Sequence, residues 1–173
     1  MVIIKSENLI MRNIEEKDLD LLMKWRNMPE VSNFLCNDFI YTFDIQRKWF
    51  NKIKDDEKNI YLIAESSRRF GEARINNLDA KNKKCEIGAH IGEQDFKGKG
   101  LGKEIFKALT DYCFNELGMN KVYLRVFKFN EIAINLYKKL GFKEEGILRK
   151  DIFKKGKYED IIIMSVLKDE WKL

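Results

Sequence analysis

The sequence predicts an α/β fold built on a mixed, mostly antiparallel sheet of six to seven strands flanked by about four helices. Two observations predict it. Apolar residues recur at helical spacing, then alternate over three consecutive short runs, and then return to helical spacing between further strands. The 173 residues, 45% of them hydrophobic, suffice for one core, and no linker or repeat interrupts them. We therefore expect a single domain over residues 1–173.

The first third of the chain is predicted to form one strand and two helices. Residues 8–13 resemble a strand, and the helix that follows should end near Asn27, because Pro29 disfavours helical backbone in the residue before it. A second helix should begin at Asp44, whose carboxylate can cap it. The apolar positions that recur in these helices are Leu19, Leu22, Met23, Trp25, Ile45, Trp49, Phe50 and Ile53.

The middle of the chain is predicted to form three strands. Residues 59–66 and 70–78 are β-prone runs separated by a polar tip at 66–69, as in a hairpin, and residues 84–92 form the third run. Their short connections favour antiparallel pairing.

In the last third of the chain, segments with helical spacing of apolar residues follow segments with strand-like alternation. We predict a helix from Leu101 to Gly118, a strand at 121–127, a helix at 131–140 ended by Gly141, and strands at about 142–149 and 158–167. The strand, helix and strand between residues 86 and 126 suit a parallel crossover.

The charge pattern argues against nucleic acid and membrane as partners. The net charge of +5 permits an anionic ligand, but lysines alternate with acidic residues as on a solvated surface, and no basic-aromatic reader motif is present. No apolar run approaches the roughly 18 residues that a membrane span needs, and residues 1–5 are too short for a signal peptide. We therefore expect a cytoplasmic protein.

Cysteine and histidine usage supports the same compartment. Cys36, Cys85 and Cys113 are odd in number and widely spaced, which favours free thiols in a reducing environment. With a single histidine, His90, and no paired cysteines, we expect no metal site.

The two faces of strand 84–92 differ in character. One face carries Cys85, Ile87, Ala89 and Ile91, and the other carries Glu86, Gly88, His90 and Gly92. Two glycines on one face indicate either that something lies close against the backbone or that the strand is bulged or twisted. Strand alternation alone leaves both interpretations open.

The stretch DFKGKGLGKEI, residues 95–105, favours the first interpretation. Gly98, Gly100 and Gly102 remove side chains where backbone N–H groups can converge, and a helix beginning near Leu101 directs its positive end to the same place. Lys97, Lys99 and Lys103 add positive charge around it. This composition predicts a phosphate-binding loop.

Two common phosphate loops are excluded by spacing. A Walker loop needs Ser or Thr after Gly-Lys, but Glu104 follows Gly102-Lys103. The dinucleotide pattern needs a third glycine where Lys103 stands. Neither nucleoside triphosphate hydrolysis nor NAD binding is supported.

The loop instead resembles the pyrophosphate signature of the Gcn5-related N-acetyltransferase (GNAT) superfamily, Gln/Arg-x-x-Gly-x-Gly/Ala, with Lys97 in the first position. Residues 130–146, NEIAINLYKKLGFKEEG, are similar to its second cofactor segment, Asn-x-x-Ala-x-x-x-Tyr followed by Gly-Phe. The segments ENLIMRNIEEKDLDLLMKWRNMPEV and KYEDIIIMSVLKDEW resemble the beginning and the closing strand of the RimJ/RimL-like branch. The resemblance covers nearly the whole chain and implies a sheet splayed between its fourth and fifth strands.

This resemblance implies direct transfer of an acetyl group from acetyl-CoA, as co-substrate, to a primary amine without a metal. It assigns the cofactor diphosphate to the loop and the pantetheine to the strand before it. The implied cofactor-binding residues are His90, Ile91, Gly92, Lys97, Gly98, Lys99, Gly100, Leu101, Gly102, Lys103, Asn130 and Tyr137.

Tyr137 is the implied general acid toward the departing thiolate, with a plain core aromatic as the alternative. Asn130 is the implied partner of the cofactor amide and can also cap its helix. For the base we prefer Glu86; His90, with an unshifted pKa near 6.5, and ordered water remain alternatives. Cys85 points away from His90 by strand parity, so we expect no acyl-enzyme.

Acceptor recognition is the least determined part of the prediction. The resemblance places it at Arg26, Phe34 and Trp49, where Arg26 suits an anionic group; alternatively Trp25 and Trp49 belong to the core and Arg26 to the surface. The branch implies protein N-termini, polyamines and amino-sugar nucleotides as acceptors, and the net charge of +5 favours a protein N-terminus or an amino-sugar nucleotide. A polyamine or other small-molecule amine, a non-catalytic acyl-CoA-binding module and a homodimer stay open.

Overall fold

A computed structural model describes residues 2–172 and places eight strands in one sheet, ordered β1-β2-β3-β4-β5-β6-β8-β7. The strands are β1 (Ile3–Lys5), β2 (Ile10–Asn13), β3 (Ile60–Glu65), β4 (Arg69–Asp79), β5 (Lys84–Ile91), β6 (Lys121–Phe127), β7 (Lys143–Lys154) and β8 (Lys157–Leu167). Neighbouring strands are antiparallel except β5 and β6, which are parallel. The end residues of the predicted domain, 1 and 173, lie outside the described part.

Five helices flank the sheet in the described chain. They are α1 (Leu19–Asn27), α2 (Pro29–Ser32), α3 (Phe43–Ile53), α4 (Leu101–Asn115) and α5 (Glu131–Lys139), and single 3₁₀ turns lie at Glu16–Asp18 and Gln94–Phe96. The predicted fold class, the central hairpin and the parallel crossover are confirmed. The counts of strands and helices are slightly higher than predicted.

The differences in count arise near the N-terminus. The predicted first strand is divided into β1 and β2 by a turn that is closed by the Ser6 N–H donating to the Leu9 carbonyl at 2.9 Å. Pro29, expected only to end a helix, also begins α2, because a first helical residue needs no N–H partner. Thr42 rather than Asp44 caps α3, its hydroxyl accepting from the Ile45 N–H at 3.3 Å.

The sheet is splayed between β5 and β6. Their register contains only three pairs, from Lys84–Lys121 to Glu86–Tyr123, after which both strands continue without pairing to each other. This is the predicted splay, shifted to the fifth and sixth strands because the first strand is divided. It leaves the backbone edge of β5 from Ile87 to Ile91 without a partner strand on this side, and Ile87, Gly88 and Ala89 line a cleft there.

Both faces of the sheet are covered. On β3, Leu62 and Ala64 belong to a large core that includes α4 and α5, whereas Ile63 between them belongs to a smaller core with Leu22 of α1 and Phe50 of α3. Alternate residues of a strand point to opposite faces, so the two helix pairs lie on opposite sides. Within residues 2–172, no helix has both the length and the apolar character that crossing a bilayer requires.

Candidate active site

Residues 97–103, the glycine loop, turn directly into α4. Gly98 and Gly100 have φ values of 74° and 79°, in the left-handed region that glycine adopts at low cost. A Cβ atom placed on either residue would meet nothing within 4 Å. Both glycines are therefore needed for backbone conformation, and the space beside them is open to a ligand.

The amides of this loop are free to bind an anion. The helical hydrogen bonds of α4 begin at Glu104, whose N–H donates to the Gly100 carbonyl at 3.2 Å. The N–H groups from Gly98 to Lys103 donate to no acceptor within residues 2–172, whereas that of Lys97 donates to the Gln94 carbonyl at 3.1 Å. A helix of 15 residues adds its positive end at this point, so the loop fits a diphosphate.

The start of α4 is fixed from the other side of the loop. The Glu104 carboxylate accepts hydrogen bonds from the Ser6 hydroxyl at 2.7 Å and from the Asn8 backbone N–H at 2.7 Å. The turn between β1 and β2 therefore anchors the first helical turn and engages its carboxylate.

A cleft of about 320 Å³ lies where β5 and β6 separate. Of the predicted site residues, it brings together Arg26, Phe34, Glu86, Asn130 and Tyr137. It does not include His90, Ile91, Gly92 or Trp49 in its lining.

Tyr137 lines this cleft and also packs in the core. Its ring lies edge-on to Phe106, with 4.8 Å between centroids, and only 8% of the residue is exposed. Burial raises the pKa of the Tyr137 hydroxyl well above its ordinary value, while the charge of Arg74 acts in the opposite direction. The phenol therefore stays protonated at neutral pH and can donate a proton or a hydrogen bond.

Asn130 has a structural contact of its own. Its side-chain oxygen accepts from the Ala133 N–H at 3.2 Å, which caps α5, and the residue also lines the cleft. The capping alternative is confirmed. The side-chain NH₂ makes no hydrogen bond within the described chain, so the same residue has a donor left for a ligand.

A family model described as an acetyltransferase (GNAT) domain matches residues 8–143, which include the glycine loop and most of the cleft. The chain belongs to the GNAT acetyltransferase family. As a member it is an acetyl-CoA-dependent N-acetyltransferase, and the free amides of the loop fit the diphosphate of that co-substrate.

Named GNAT relatives align with this chain. It is 30% identical to the prophage-derived N-acetyltransferase YokL of Bacillus subtilis, over 97% of this chain and 94% of that one. It is 35% identical over 102 residues to YdaF of the same organism, a putative ribosomal N-acetyltransferase, over 59% of this chain and 55% of that one. Among solved structures, the spermidine N-acetyltransferase of Vibrio cholerae in complex with CoA and spermine aligns with a TM-score of 0.89 and 25% identity, over 95% and 98% of the two chains.

Glu86 is a carboxylate that this GNAT chain presents to the cleft, where it accepts a hydrogen bond from the Asn77 side-chain NH₂ at 3.0 Å. His90, on the same strand, is instead enclosed beside Glu72, with 3.7 Å between Nε2 and the carboxylate oxygen. Burial lowers the pKa of His90 to about 4, although the charge of Glu72 opposes the shift. The expected unshifted pKa is wrong, and the imidazole is neutral at physiological pH.

The glycine face of β5 is covered by the protein's own side chains. A Cβ on Gly92 would lie 2.1 Å from the indole ring of Trp25, and one on Gly88 would lie 2.9 Å from the guanidinium carbon of Arg74. Something does lie close against the glycines, but it is Trp25 and Arg74. The backbone that remains for a ligand is the free edge of β5.

Arg26 is neither on the surface nor free to bind an anion. It is 7% exposed, and its Nε and Nη2 donate to the two carboxylate oxygens of Glu72 at 3.0 and 2.6 Å. Burial alone would raise the pKa of Glu72, but the charge of Arg26 outweighs it and holds the pKa at about 2. Trp49 stacks on Arg26 at 4.1 Å from its ring centroid, and Trp25 is fully buried in the smaller core, as the alternative interpretation expected.

Two further arginines of the cleft were missed by the sequence analysis. Arg125 on β6 pairs with Asp151, whereas Arg74 on β4 has no ion pair or hydrogen bond within residues 2–172. The alternation of Glu72, Arg74 and Asn76 along β4 places all three on one face, and all three line the cleft. That alternation is the signal that could have found Arg74.

A buried lysine holds the loop that forms one wall of the cleft. The Lys154 ammonium donates to the backbone carbonyls of Ser32 at 2.5 Å, Asn37 at 3.2 Å and Leu35. Only 5% of Lys154 is exposed. The end of β7 therefore fixes the segment 33–41 that carries Phe34 into the cleft.

The described chain contains three cysteines. Cys36 is exposed, Cys85 and Cys113 are buried, and all three are free thiols. In the described residues, no group of three or more His, Cys, Asp or Glu side chains is placed to hold a metal ion.

Proposed function

We propose that this chain transfers the acetyl group of acetyl-CoA directly to the primary amine of a small-molecule or peptide acceptor bound in the cleft. The observation that carries the proposal is that Tyr137 and Glu86 line one cleft at the free edge of β5. One residue can donate a proton and the other can accept one, as aminolysis of a thioester requires.

Each binding role in this proposal has a residue suited to it. The loop amides from Gly98 to Lys103 and the side chain of Lys97 would hold the diphosphate. The backbone of His90 and Ile91 and the side-chain NH₂ of Asn130 would hold the pantetheine, so His90 acts through its main chain. The predicted role of Gly92 does not extend to its N–H, which donates to the Phe70 carbonyl at 2.8 Å. When bound, acetyl-CoA supplies the acetyl group in activated form as a thioester.

The two protein groups beside the reacting atoms would move protons in opposite directions. Glu86, directly or through a water molecule, would take the proton of the attacking amine. Tyr137 would donate to the departing thiolate, and its raised pKa keeps the proton available until that charge develops.

An acyl-enzyme is not part of the proposal. Cys85 is fully buried on the other face of β5, and Cys36 lines the cleft without the chain's single histidine, which lies beside Glu72. No Cys-His pair is therefore formed to activate a thiol.

Two observations bear on the acceptor class, and they support different candidates. The net charge supports a protein N-terminus or an amino-sugar nucleotide. The likeness to a spermidine N-acetyltransferase solved with spermine supports the second candidate, a polyamine or related small-molecule amine.

The proposal extends to the organisation of the protein. We place one N-acetyltransferase domain over residues 1–173, in the cytoplasm, with a homodimer as the assembly to test. Exposed Ile147 and Leu148 on the edge strand β7 offer an apolar surface for a second copy, which light scattering would detect.

The decisive experiment is a screen of acetyl-CoA consumption against peptides, polyamines, aminoglycosides and amino-sugar nucleotides. Thiol release that depends on one amine class supports the proposal, and mass spectrometry of the product should show one added acetyl group. CoA binding in calorimetry without turnover of any amine would identify a non-catalytic acyl-CoA-binding module instead.

A further inference from the structure

Arg74 is one of two charged residues of the cleft that form no ion pair within residues 2–172. The charged residues lining the cleft are Arg26, Glu72, Arg74, Glu86 and Arg125. Arg26 pairs with Glu72 and Arg125 pairs with Asp151, so these four charges cancel in two pairs. Arg74 and Glu86 remain, and neither forms an ion pair within residues 2–172.

The fold holds Arg74 beside the predicted reaction centre. Arg74 on β4 is the register partner of Gly88 on β5, and its guanidinium lies across this glycine, 2.9 Å from where a Cβ would be. Any larger residue at position 88 would displace it. Arg74 and Tyr137 line the same cleft.

The remaining carboxylate is a near neighbour of this guanidinium. Glu86 is the register partner of Asn76, two residues from Arg74 along β4. Diagonal positions of this kind lie about 7–8 Å apart between Cα atoms. The cleft thus presents one cation and one carboxylate on adjacent strands, neither of them in an ion pair within residues 2–172 and both near enough to contact one small molecule.

We propose that Arg74 selects acceptors that carry an anionic group, a carboxylate or a phosphate, a few bonds from the amine that is acetylated. This inference rests on the proposed function. The anionic group would pair with the planar guanidinium fork of Arg74, which suits both kinds of anion. The amine would then lie at Glu86, the residue proposed to take its proton.

The cleft favours such an acceptor over a polyamine. A second ammonium group on the acceptor would meet the uncompensated charge of Arg74, and like charges brought together in a partly enclosed site repel strongly. The walls also carry Tyr41, Tyr61 and Phe127, and aromatic rings screen a neighbouring charge pair less than water does. The preference therefore separates this chain from the spermidine N-acetyltransferase that it resembles.

Acceptors matched in length provide the test. Thiol release from acetyl-CoA is measured with 6-aminohexanoate, hexylamine and 1,6-diaminohexane, and with O-phosphoethanolamine against ethanolamine to separate carboxylate from phosphate. We expect kcat/KM to be about 10-fold or more higher for the anionic member of at least one set, the order expected for a hydrogen bond to a charged partner.

Variants then assign the preference to Arg74. Arg74→Gln should lower kcat/KM for the anionic acceptor about 10- to 100-fold while changing that for hexylamine less than about 3-fold. Arg74→Lys should retain part of the preference. Arg149→Gln, which removes an exposed arginine outside the cleft, is the matched control and should change neither value. Arg74→Glu should transfer the preference to 1,6-diaminohexane, a gain that misfolding cannot produce.

The outcomes separate the inference from the function on which it rests. Thiol release that is fastest with hexylamine or 1,6-diaminohexane, or an anion preference that survives in Arg74→Gln, overturns the role of Arg74 and leaves the transferase intact. Absence of thiol release with every amine overturns the proposed function, and the inference with it.

Discussion

At the scale of single residues, burial sets the protonation state of the site. Tyr137 keeps its proton because a buried phenolate would be poorly solvated. His90 stays neutral because a buried imidazolium would also be poorly solvated. Glu72 remains charged in an equally enclosed position because Arg26 contacts both of its carboxylate oxygens. The cleft therefore contains a protonated phenol, Tyr137, and a carboxylate, Glu72, that stays charged near neutral pH.

Replacing Tyr137 with phenylalanine removes the hydroxyl and keeps the ring that packs against Phe106. We expect turnover to fall about 10-fold or more, the usual order for a lost general acid, with acetyl-CoA affinity nearly unchanged. Steady-state rates and calorimetric titration measure the two quantities. Turnover equal to that of the wild type would remove Tyr137 from the mechanism.

The single histidine predicts a pH dependence of stability. The folded-state pKa of His90 is about 4, below the unfolded value of about 6.5, so the unfolded chain binds the proton first as pH falls. The contribution of the neutral His90 imidazole to the free energy of unfolding is thus complete above pH 6.5 and is lost as the pH falls toward 4. Between pH 7 and pH 5 the free energy of unfolding should fall by about 2 kcal/mol from this group.

Urea denaturation at the two pH values measures that loss. His90→Gln leaves no histidine, so its stability should change much less over the same interval. An equal loss in the variant and the wild type would show that other groups cause the pH dependence.

The sequence revealed residues with local signals and missed those whose state depends on distant partners. Glu86 follows from strand alternation, and Asn130 and Tyr137 follow from a motif of eight residues. The pairing of Arg26 with Glu72, 46 residues away, has no local signal and became visible only when α1 was seen packed across the sheet. Arg74 had a local signal in strand alternation, but its importance depends on a glycine in the neighbouring strand.

At the scale of elements, the glycine loop and α4 are together proposed to bind the diphosphate of the co-substrate. Gly100→Glu would place a negative side chain beside the free amides, and we expect CoA binding to be lost in calorimetry. Gly118→Glu is the matched control, because Gly118 also has a positive φ, 65°, and no neighbour near its Cβ position, yet lies beyond the far end of α4. Equal CoA affinity in Gly100→Glu and the wild type would contradict the placement of the diphosphate.

The contacts of Lys154 at the end of β7 with the cleft wall lead to a second prediction at this scale. Lys154→Met leaves three backbone carbonyls without their donor and should destabilise the fold by about 1–3 kcal/mol. It should also release the segment 33–41 and raise the acceptor KM about 10-fold, since a mobile wall must be ordered on binding. CoA affinity should not change.

Lys157→Met is the control for the Lys154 contacts, because the Lys157 side chain is 72% exposed and its one ion pair within residues 2–172 is with Glu159. Thermal unfolding and acceptor kinetics are compared for the two variants. Identical acceptor KM values in Lys154→Met and the wild type would mean that the segment is held by other contacts.

Elements with strong periodicity were predictable, and those determined by context were not. The helix α4 and strands β3 to β6 lie close to their predicted positions because long runs of one period specify them. Strand β7 extends five residues beyond its prediction, from 149 to Lys154. Its pairing with β8 continues through a register shift into the turn at Lys155-Gly156, where both residues have positive φ.

At the scale of the whole molecule, the splay divides the sheet into two halves. The sheet is continuous only through three register pairs between β5 and β6, and beyond them the two halves are joined through the helices packed against them. The sequence predicted this division through the family resemblance alone. Neither periodicity nor composition indicates where two parallel strands stop pairing.

A ligand that binds the edge of β5, the glycine loop and Asn130 at once would connect the two halves of the sheet. Because it binds the folded chain and not the unfolded one, acetyl-CoA at 100 times its Kd should raise the free energy of unfolding by about 2.7 kcal/mol. For a chain of this size that corresponds to a rise in Tm of about 5–10 °C in a thermal melt.

Two controls determine what such a shift means. Gly100→Glu should show no rise with acetyl-CoA if the glycine loop is the binding site. We expect a random DNA duplex at physiological salt to leave the Tm of the wild type unchanged, because lysines alternate with acidic residues along the sequence and no basic-aromatic reader motif is present in it. A rise with duplex and none with acetyl-CoA would mean that the basic charge of the chain, and not its glycine loop, determines what it binds.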